Sequence, residues 1–332
     1  MKRTTFFILL LIYSFAPLWT QDLPSIFDHA NELVETERKL DILSRSEARY
    51  TETKRITILN EESRANQFAV SYNPDNKIER IDADIYDLAG NKIRRVRKSE
   101  IRDVAAVSGS TLYQDYRVQH IELNHSQYPY VVEFSYTQKL KGILFAALPT
   151  WYFQPSNTSA VLRSSFEVTV REGLDINHRV YNIDLAPVVT TSDNSKTYRW
   201  EVEDIPAFSY EPYGIPSHRQ LPLLRLSPQV FRIDKYNGSM ESWADYGAFL
   251  YQLHQGRGEL PAALVTTIES LTADAGSDTE KVAILYRYLQ ENKRYVSVQL
   301  GIGGWQPFSA SYVEERGYGD CKALSNYMMS ML

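Results

Sequence analysis

The sequence predicts an α+β chain, an N-terminal antiparallel β-sandwich-like part followed by a helical part. Three observations predict it. Apolar and polar residues alternate in short runs between about 50 and 204. Prolines cluster just after residue 204. From 241 onward the apolar spacing changes to three and four residues. A chain of 332 residues fits about two domains, and a hydrophobic share of 43% is enough for packed cores. The net charge is −5 with Lys and Arg scattered, so nucleic acid is not expected as a partner. The one basic run, 92–98 (KIRRVRK), reads as a solvated strand face.

Taken in order, Lys2 and Arg3 precede an apolar run at 6–15 (FFILLLIYSF). That is the pattern of an export signal over 1–20, cleaved near Thr20, and it is too short to span a bilayer. The chain is therefore expected to be exported, to the periplasm, the cell surface or the medium, with no membrane span after signal removal. Ile26, Ala30, Leu33 and Val34 stand at helical spacing, which predicts a short helix within 22–46. A β-rich domain is expected over 21–204. Its strand candidates are 55–59, 67–72, 79–86, 92–96, 116–123, 130–138, 164–171, 178–183 and 197–203. Residues 87–91 (DLAGN) carry the Asp, Gly and Asn of a hairpin turn.

Pro206, Pro212, Pro216 and Pro222 mark 205–229 as a proline-rich linker, with one more strand at 230–234. Trp243, Tyr246, Phe249, Leu250 and Leu253 form one helical stripe, ended by Gly256 and Gly258. Pro261 opens a second helix with Leu264, Val265, Ile268 and Leu271 inward. Ser277 and Glu280 have capping-box spacing and start a third, burying Val282, Leu285, Tyr286 and Leu289. These stripes are read as core.

Cys321 is the chain's one cysteine, so no internal disulfide is available to it. Two readings stand, an inert buried side chain and a thiol kept for chemistry. The context Gly317-Tyr318-Gly319-Asp320-Cys321-Lys322 leads into an apolar stripe of Ala323, Leu324, Tyr327, Met328, Met331 and Leu332. Asp320 is placed to cap that helix, which puts Cys321 in the first turn. Unbonded N–H groups and the helix dipole favour a thiolate there, and the thiolate is the nucleophile. Lys322 offers a nearby cation. Gly319 allows a tight bend and leaves room for a substrate carbonyl. Trp305, behind the glycines of 301–304, reads as core packing or as the wall of an acyl pocket. The six histidines show no metal-ligand spacing, and no cofactor is expected.

The segment Tyr318-Gly319-Asp320-Cys321-Lys322 resembles the nucleophile motif of the transglutaminase-like superfamily. The likeness is to the exported bacterial branch in which a β-rich domain of unknown function precedes the core. The helix near Trp243, the helix over 278–292, Tyr295-Val296-Ser297-Val298 and the Gly-Gly-Trp-Gln-Pro loop occur in that order. Tyr86-Asp87 and Gly90-Asn91-Lys92-Ile93 match a recurrent hairpin of the β-rich domain. The resemblance implies a papain-type core whose helical front occupies 230–332, with Cys321 as nucleophile supported by Asp320, Gly319, Lys322 and Trp305. It implies acyl transfer on amide bonds of a protein or peptide, cell-wall peptides included. Ala323 stands where the family usually has Asp. The family's catalytic His and Asp follow the cysteine, whereas all six histidines here precede it, and the chain stops inside an apolar helix. This predicts a fragment that is inactive by itself. The alternative expectation is a non-catalytic binding or scaffolding protein with a degenerate core.

Overall fold

The computed structural model describes residues 27–106, 111–142, 148–209 and 211–332, apart from the side chains of 111–114, 217 and 218. The expected leader and its cleavage point lie outside the described residues, as does the His218 side chain. The first strands are β1 (Glu32–Ile42), β2 (Glu47–Ile58), β3 (Gln67–Tyr72), β4 (Lys77–Tyr86), β5 (Lys92–Arg95) and β6 (Arg102–Ala105). Then come β7 (Thr111–Gln114), β8 (Arg117–Glu122), β9 (Tyr130–Lys141), β10 (Trp151–Tyr152), β11 (Ser159–Arg171) and β12 (Ile176–Tyr181). β13 (Val188–Ser192), β14 (Ser195–Ile205), β15 (Leu223–Pro228), β16 (Val230–Ile233) and β17 (Tyr236–Ser239) complete the β-rich part.

An eight-stranded sheet in the order β13-β14-β11-β1-β2-β9-β4-β5 forms one layer. Val34, Leu40 and Ile42 of β1, Tyr50, Ile56 and Ile58 of β2, and Tyr130, Val132, Phe134 and Leu140 of β9 are buried. All are even-numbered, so strand alternation puts them on one face. Two three-stranded sheets cover that face. The β10-β15-β12 sheet closes one core around Trp151, Phe166 and Trp200, and the β3-β8-β6 sheet closes another around Phe68, Ile85 and Phe134. Between the two cores runs a polar belt. Arg38 lies directly opposite Glu52 across β1 and β2, and its Nη2 stands 2.7 Å from Glu52 Oε1. Lys54 Nζ is 3.2 Å from the same oxygen.

Three expectations change. Residues 32–42 are a central strand, not part of a helix within 22–46. The helical spacing spanned too few residues to outweigh the alternation of Val34, Thr36, Arg38, Leu40 and Ile42, and two of those inward residues are polar. The large sheet is mixed, because β1 and β11 run parallel while their other neighbours are antiparallel. Within the expected linker, residues 217–220 form one helical turn and β15 is a full sheet member with Leu224 buried. The hairpin at 87–91 forms as its composition demands. Asn91 N–H bonds to Asp87 Oδ1 at 2.8 Å, and Gly90 takes φ +85°.

The C-terminal part contains α1 (Trp243–His254), α2 (Ala262–Thr272), α3 (Asp278–Asn292), β18 (Arg294–Tyr295), β19 (Ser297–Gln299), α4 (Ala310–Arg316), β20 (Tyr318–Gly319) and α5 (Cys321–Met331). The helices at 243, 262, 278 and 321 begin where the sequence places them, while α4 forms where the sequence shows no helical stripe. Ser242, Ser277, Ser309 and Asp320 each accept a first-turn N–H. In the third-helix cap, Glu280 reaches back to the N–H of Gly276 at 2.9 Å. Their stripes are only partly core. Phe249, Leu253, Leu264 and Leu285 are buried, but Trp243, Val265, Leu271, Val282 and Tyr286 are exposed. α4 and α5 cover one side of α2 and α3, the β16–β17 hairpin covers one side of α1, and the outward faces of all three helices carry exposed apolar side chains. Among the described residues no helix is long and apolar enough to cross a membrane.

Candidate functional site

Cys321 opens α5 at the end of a short parallel pairing. β18 and β20 align Arg294 with Tyr318 and Tyr295 with Gly319, and Val296 N–H bonds to Gly319 O at 2.9 Å. Before it, α4 ends at Gly317, whose φ of +71° is the left-handed conformation that glycine adopts without cost. Its N–H closes the helix on Val313 O at 2.9 Å.

Asp320 is fully buried and is the N-cap of α5. Its Oδ1 accepts from Ala323 N–H at 2.9 Å, and its Oδ2 accepts from the Lys322 ammonium. Leu324 N–H takes the Asp320 carbonyl at 2.9 Å. The cap therefore meets a cation and an N–H. Cys321 itself is exposed, and the N–H groups of Cys321 and Lys322 belong to the orphan set of a helix start. Lys322 is engaged with the cap. No hydrogen bond to the cysteine sulfur occurs among the described residues.

Gly319 is buried against the helices. A Cβ there would stand 2.9 Å from Ala323 Cβ and 3.3 Å from Val313 Cγ2. The position admits glycine because β20 runs close over α4 and α5. Gly319→Ala is expected to push α5 outward and cost about 1–3 kcal/mol. Thermal unfolding monitored by circular dichroism reads this directly, and an unchanged midpoint would refute the close-packing account.

Trp305 follows the single helical turn of residues 301–304. It is half-buried and packs at the edge of the cluster of Phe231, Ile233, Phe249 and Leu253. Gln306 next to it is a hub that the sequence did not advertise. Its amide nitrogen donates to Tyr236 OH at 2.9 Å and Leu253 O at 3.2 Å, and its oxygen accepts from Arg257 Nη2 at 2.7 Å. Arg257 O in turn accepts from Ala310 N–H at 2.7 Å and from Asn326 Nδ2 at 2.8 Å. These bonds tie the Gly-Gly-Trp-Gln loop, α4 and α5 together beneath the cysteine. Asn326 was the available signal, since a buried amide within an apolar helical stripe requires a partner.

A second supporting pair was also missed. Lys293 Nζ lies 2.6 Å from Glu314 Oε2, and Tyr327 OH donates to the same oxygen at 2.5 Å. Burial acts to raise the Glu314 carboxyl, but Lys293 and Tyr327 outweigh it and hold it below its ordinary value. The pair fixes α4 against α5. Among the described residues no group of three or more His, Cys, Asp or Glu side chains could hold a metal ion.

The family model of DUF3857, a domain of unknown function with a solved structure, matches residues 44–209. No curated protein matches the chain. The crystal structure of a proposed protease from Parabacteroides distasonis ATCC 8503 superposes with TM-score 0.64 at 16% identity, covering 91% of this chain and 58% of that one. That likeness shows a shared fold, and this chain spans less than two thirds of that protein's length. An M1 zinc metallopeptidase from Deinococcus radiodurans reaches only TM-score 0.30 at 9% identity, covering 74% of this chain and 56% of its own.

Proposed function

Because the chain belongs to the DUF3857 family, whose matched region ends before the helical part, we propose that the chemistry resides in that later part, with Cys321 as the nucleophile of an exported, transglutaminase-like thiol enzyme. The observation that carries this reading is an exposed sulfur on the first residue of a helix whose cap is buried and charge-balanced. That residue stands in the first turn, beside N–H groups that α5 leaves unbonded. The thiolate would attack an amide carbonyl, the C–N bond would break as the leaving amine takes a proton, and water or a second amine would release the acyl group from sulfur. In the family that the motif resembles, a histidine after the cysteine takes the thiol proton and an aspartate orients it. First-turn N–H groups are the natural donors to the developing oxyanion. Peptide amides, glutamine side chains and cell-wall peptides are the substrate classes that suit this chemistry. The Parabacteroides protein of the same fold is described as a proposed protease, in keeping with peptide substrates.

A non-catalytic binding protein is the second reading, favoured by the absence of a hydrogen-bonded base on the sulfur among the described residues. Alkylation separates the two. With a single cysteine in the chain, iodoacetamide has one thiol target. At pH 7 Cys321 is expected to react at least about tenfold faster than free cysteine, and Cys321→Ser to take up no label. A rate equal to or below that of free cysteine overturns the nucleophile assignment.

A further inference from the structure

A gap in the packing lies between the β-rich and helical parts, and Cys321 is not among its lining residues. A cavity of about 340 Å³ has Gln138 and Leu140 of β9 among its lining residues, together with Asn73, Asp115 and Tyr116. Gln299, Gly301, Gly304 and Trp305 line it from the helical part. The two parts are stitched together beside it. β19 pairs in parallel with β7, Val298 opposite Tyr113, and Gly301 N–H donates to Asp115 Oδ2 at 3.4 Å. A neighbouring cavity of about 370 Å³ shares Asn73 and Asp115 and continues past Tyr72, Arg117 and Gln119. The two together make an elongated cleft.

Its lining mixes amides and carboxylates with the apolar Leu140, Pro74 and Ile78 and the cations Lys77, Arg117 and Lys141. The Gln138 amide nitrogen is committed to Ser71 O at 2.9 Å and Asn76 O at 3.1 Å, which leaves its oxygen as an acceptor in a side chain 8% exposed. Asp75 and Asp115 have no ion-pair partner among the described residues, and both act on the Tyr116 hydroxyl. Burial first, then those carboxylates, raise that hydroxyl above its ordinary value. Lys141, also in the lining, offsets part of the negative charge. Aromatic rings stand on both parts, Tyr116 on one and Trp305 on the other. Amides, carboxylates and a phenol suit a ligand that both donates and accepts along its whole length, and the rings suit one with flat apolar faces.

We propose that this cleft binds a chain of neutral sugars, held across the seam between the β-rich and helical parts. The proposal does not depend on the thiol reading, because Cys321 does not line the cavity. The intact chain would be titrated with maltohexaose, cellohexaose and chitohexaose, using calorimetry. At least one is expected to bind with Kd of about 1 mM or tighter. Tyr116→Ala and Asp115→Asn are each expected to weaken that binding about tenfold without shifting thermal unfolding. Tyr116 is 42% exposed, so its truncation leaves the cores untouched. No binding of any of the three sugars overturns the proposal. So does binding that neither variant weakens, or a lysine-rich or alanine-rich peptide bound in their place and lost in both variants.

Discussion

Glu52→Gln is expected to lower stability by about 3–5 kcal/mol, although the side chain keeps its shape. The carboxylate is buried, and it is the shared counter-charge of Arg38 and Lys54 on the inner face of the large sheet. The hydroxyls of Tyr50 and Tyr136 bond to it as well. An amide at this position leaves a guanidinium and an ammonium facing each other without compensation. In a domain of this size the unfolding midpoint should fall by roughly 10 °C. The double variant Arg38→Met/Glu52→Leu should recover much of the loss, since it removes the charges together. A single variant that unfolds within a degree of the parent would show that the belt contributes no stability.

The same carboxyl sets an acid limit. Burial alone would raise it, but Lys54 and Arg38 together prevail and pull it down to about 2, from an ordinary 4.5. A group depressed in the folded state binds its proton more readily when unfolded. Its contribution is therefore complete above about pH 4.5 and is lost as pH falls from there through 2. The difference corresponds to about 3 kcal/mol. Unfolding midpoints measured from pH 6 down to 2.5 should fall steeply for the parent chain. The fall should be visibly shallower for Glu52→Gln, and identical slopes would remove Glu52 from the account.

Trp151→Ala is expected to cost about 3–5 kcal/mol by emptying the centre of the first core. The ring is fully buried, 4.1 Å from Phe153 and 5.5 Å from Phe166 between centroids, both edge-on. It enters from a two-residue strand paired with β15, and Phe153 N–H just beyond bonds to Pro222 O at 3.0 Å. Its indole N–H has no hydrogen-bond partner among the described residues. Trp151→Phe therefore gives up no hydrogen bond and should cost under about 1.5 kcal/mol. Urea midpoints compare the two variants. Equal losses would mean that the cost comes from the strand's attachment rather than from the cavity.

What the sequence alone determined is what short stretches can determine. The caps at Ser277 and Asp320, the hairpin at 87–91, the strand at 67–72 and the place of the cysteine in the first turn of a helix were all legible. In each, the deciding hydrogen bonds or alternation fall within a few residues. Tertiary structure alone decided that β1 is a strand, because its partners β2 and β11 supply the bonds that a local helix would have made for itself. It alone left Trp243 bare, since a stripe is core only where another layer arrives to cover it. It alone also placed Glu52 opposite Arg38, and Asp115 beside Gly301, which are 186 residues apart in the chain. Such contacts follow from sheet register and from the docking of one layer on another, and no local pattern of residues encodes either.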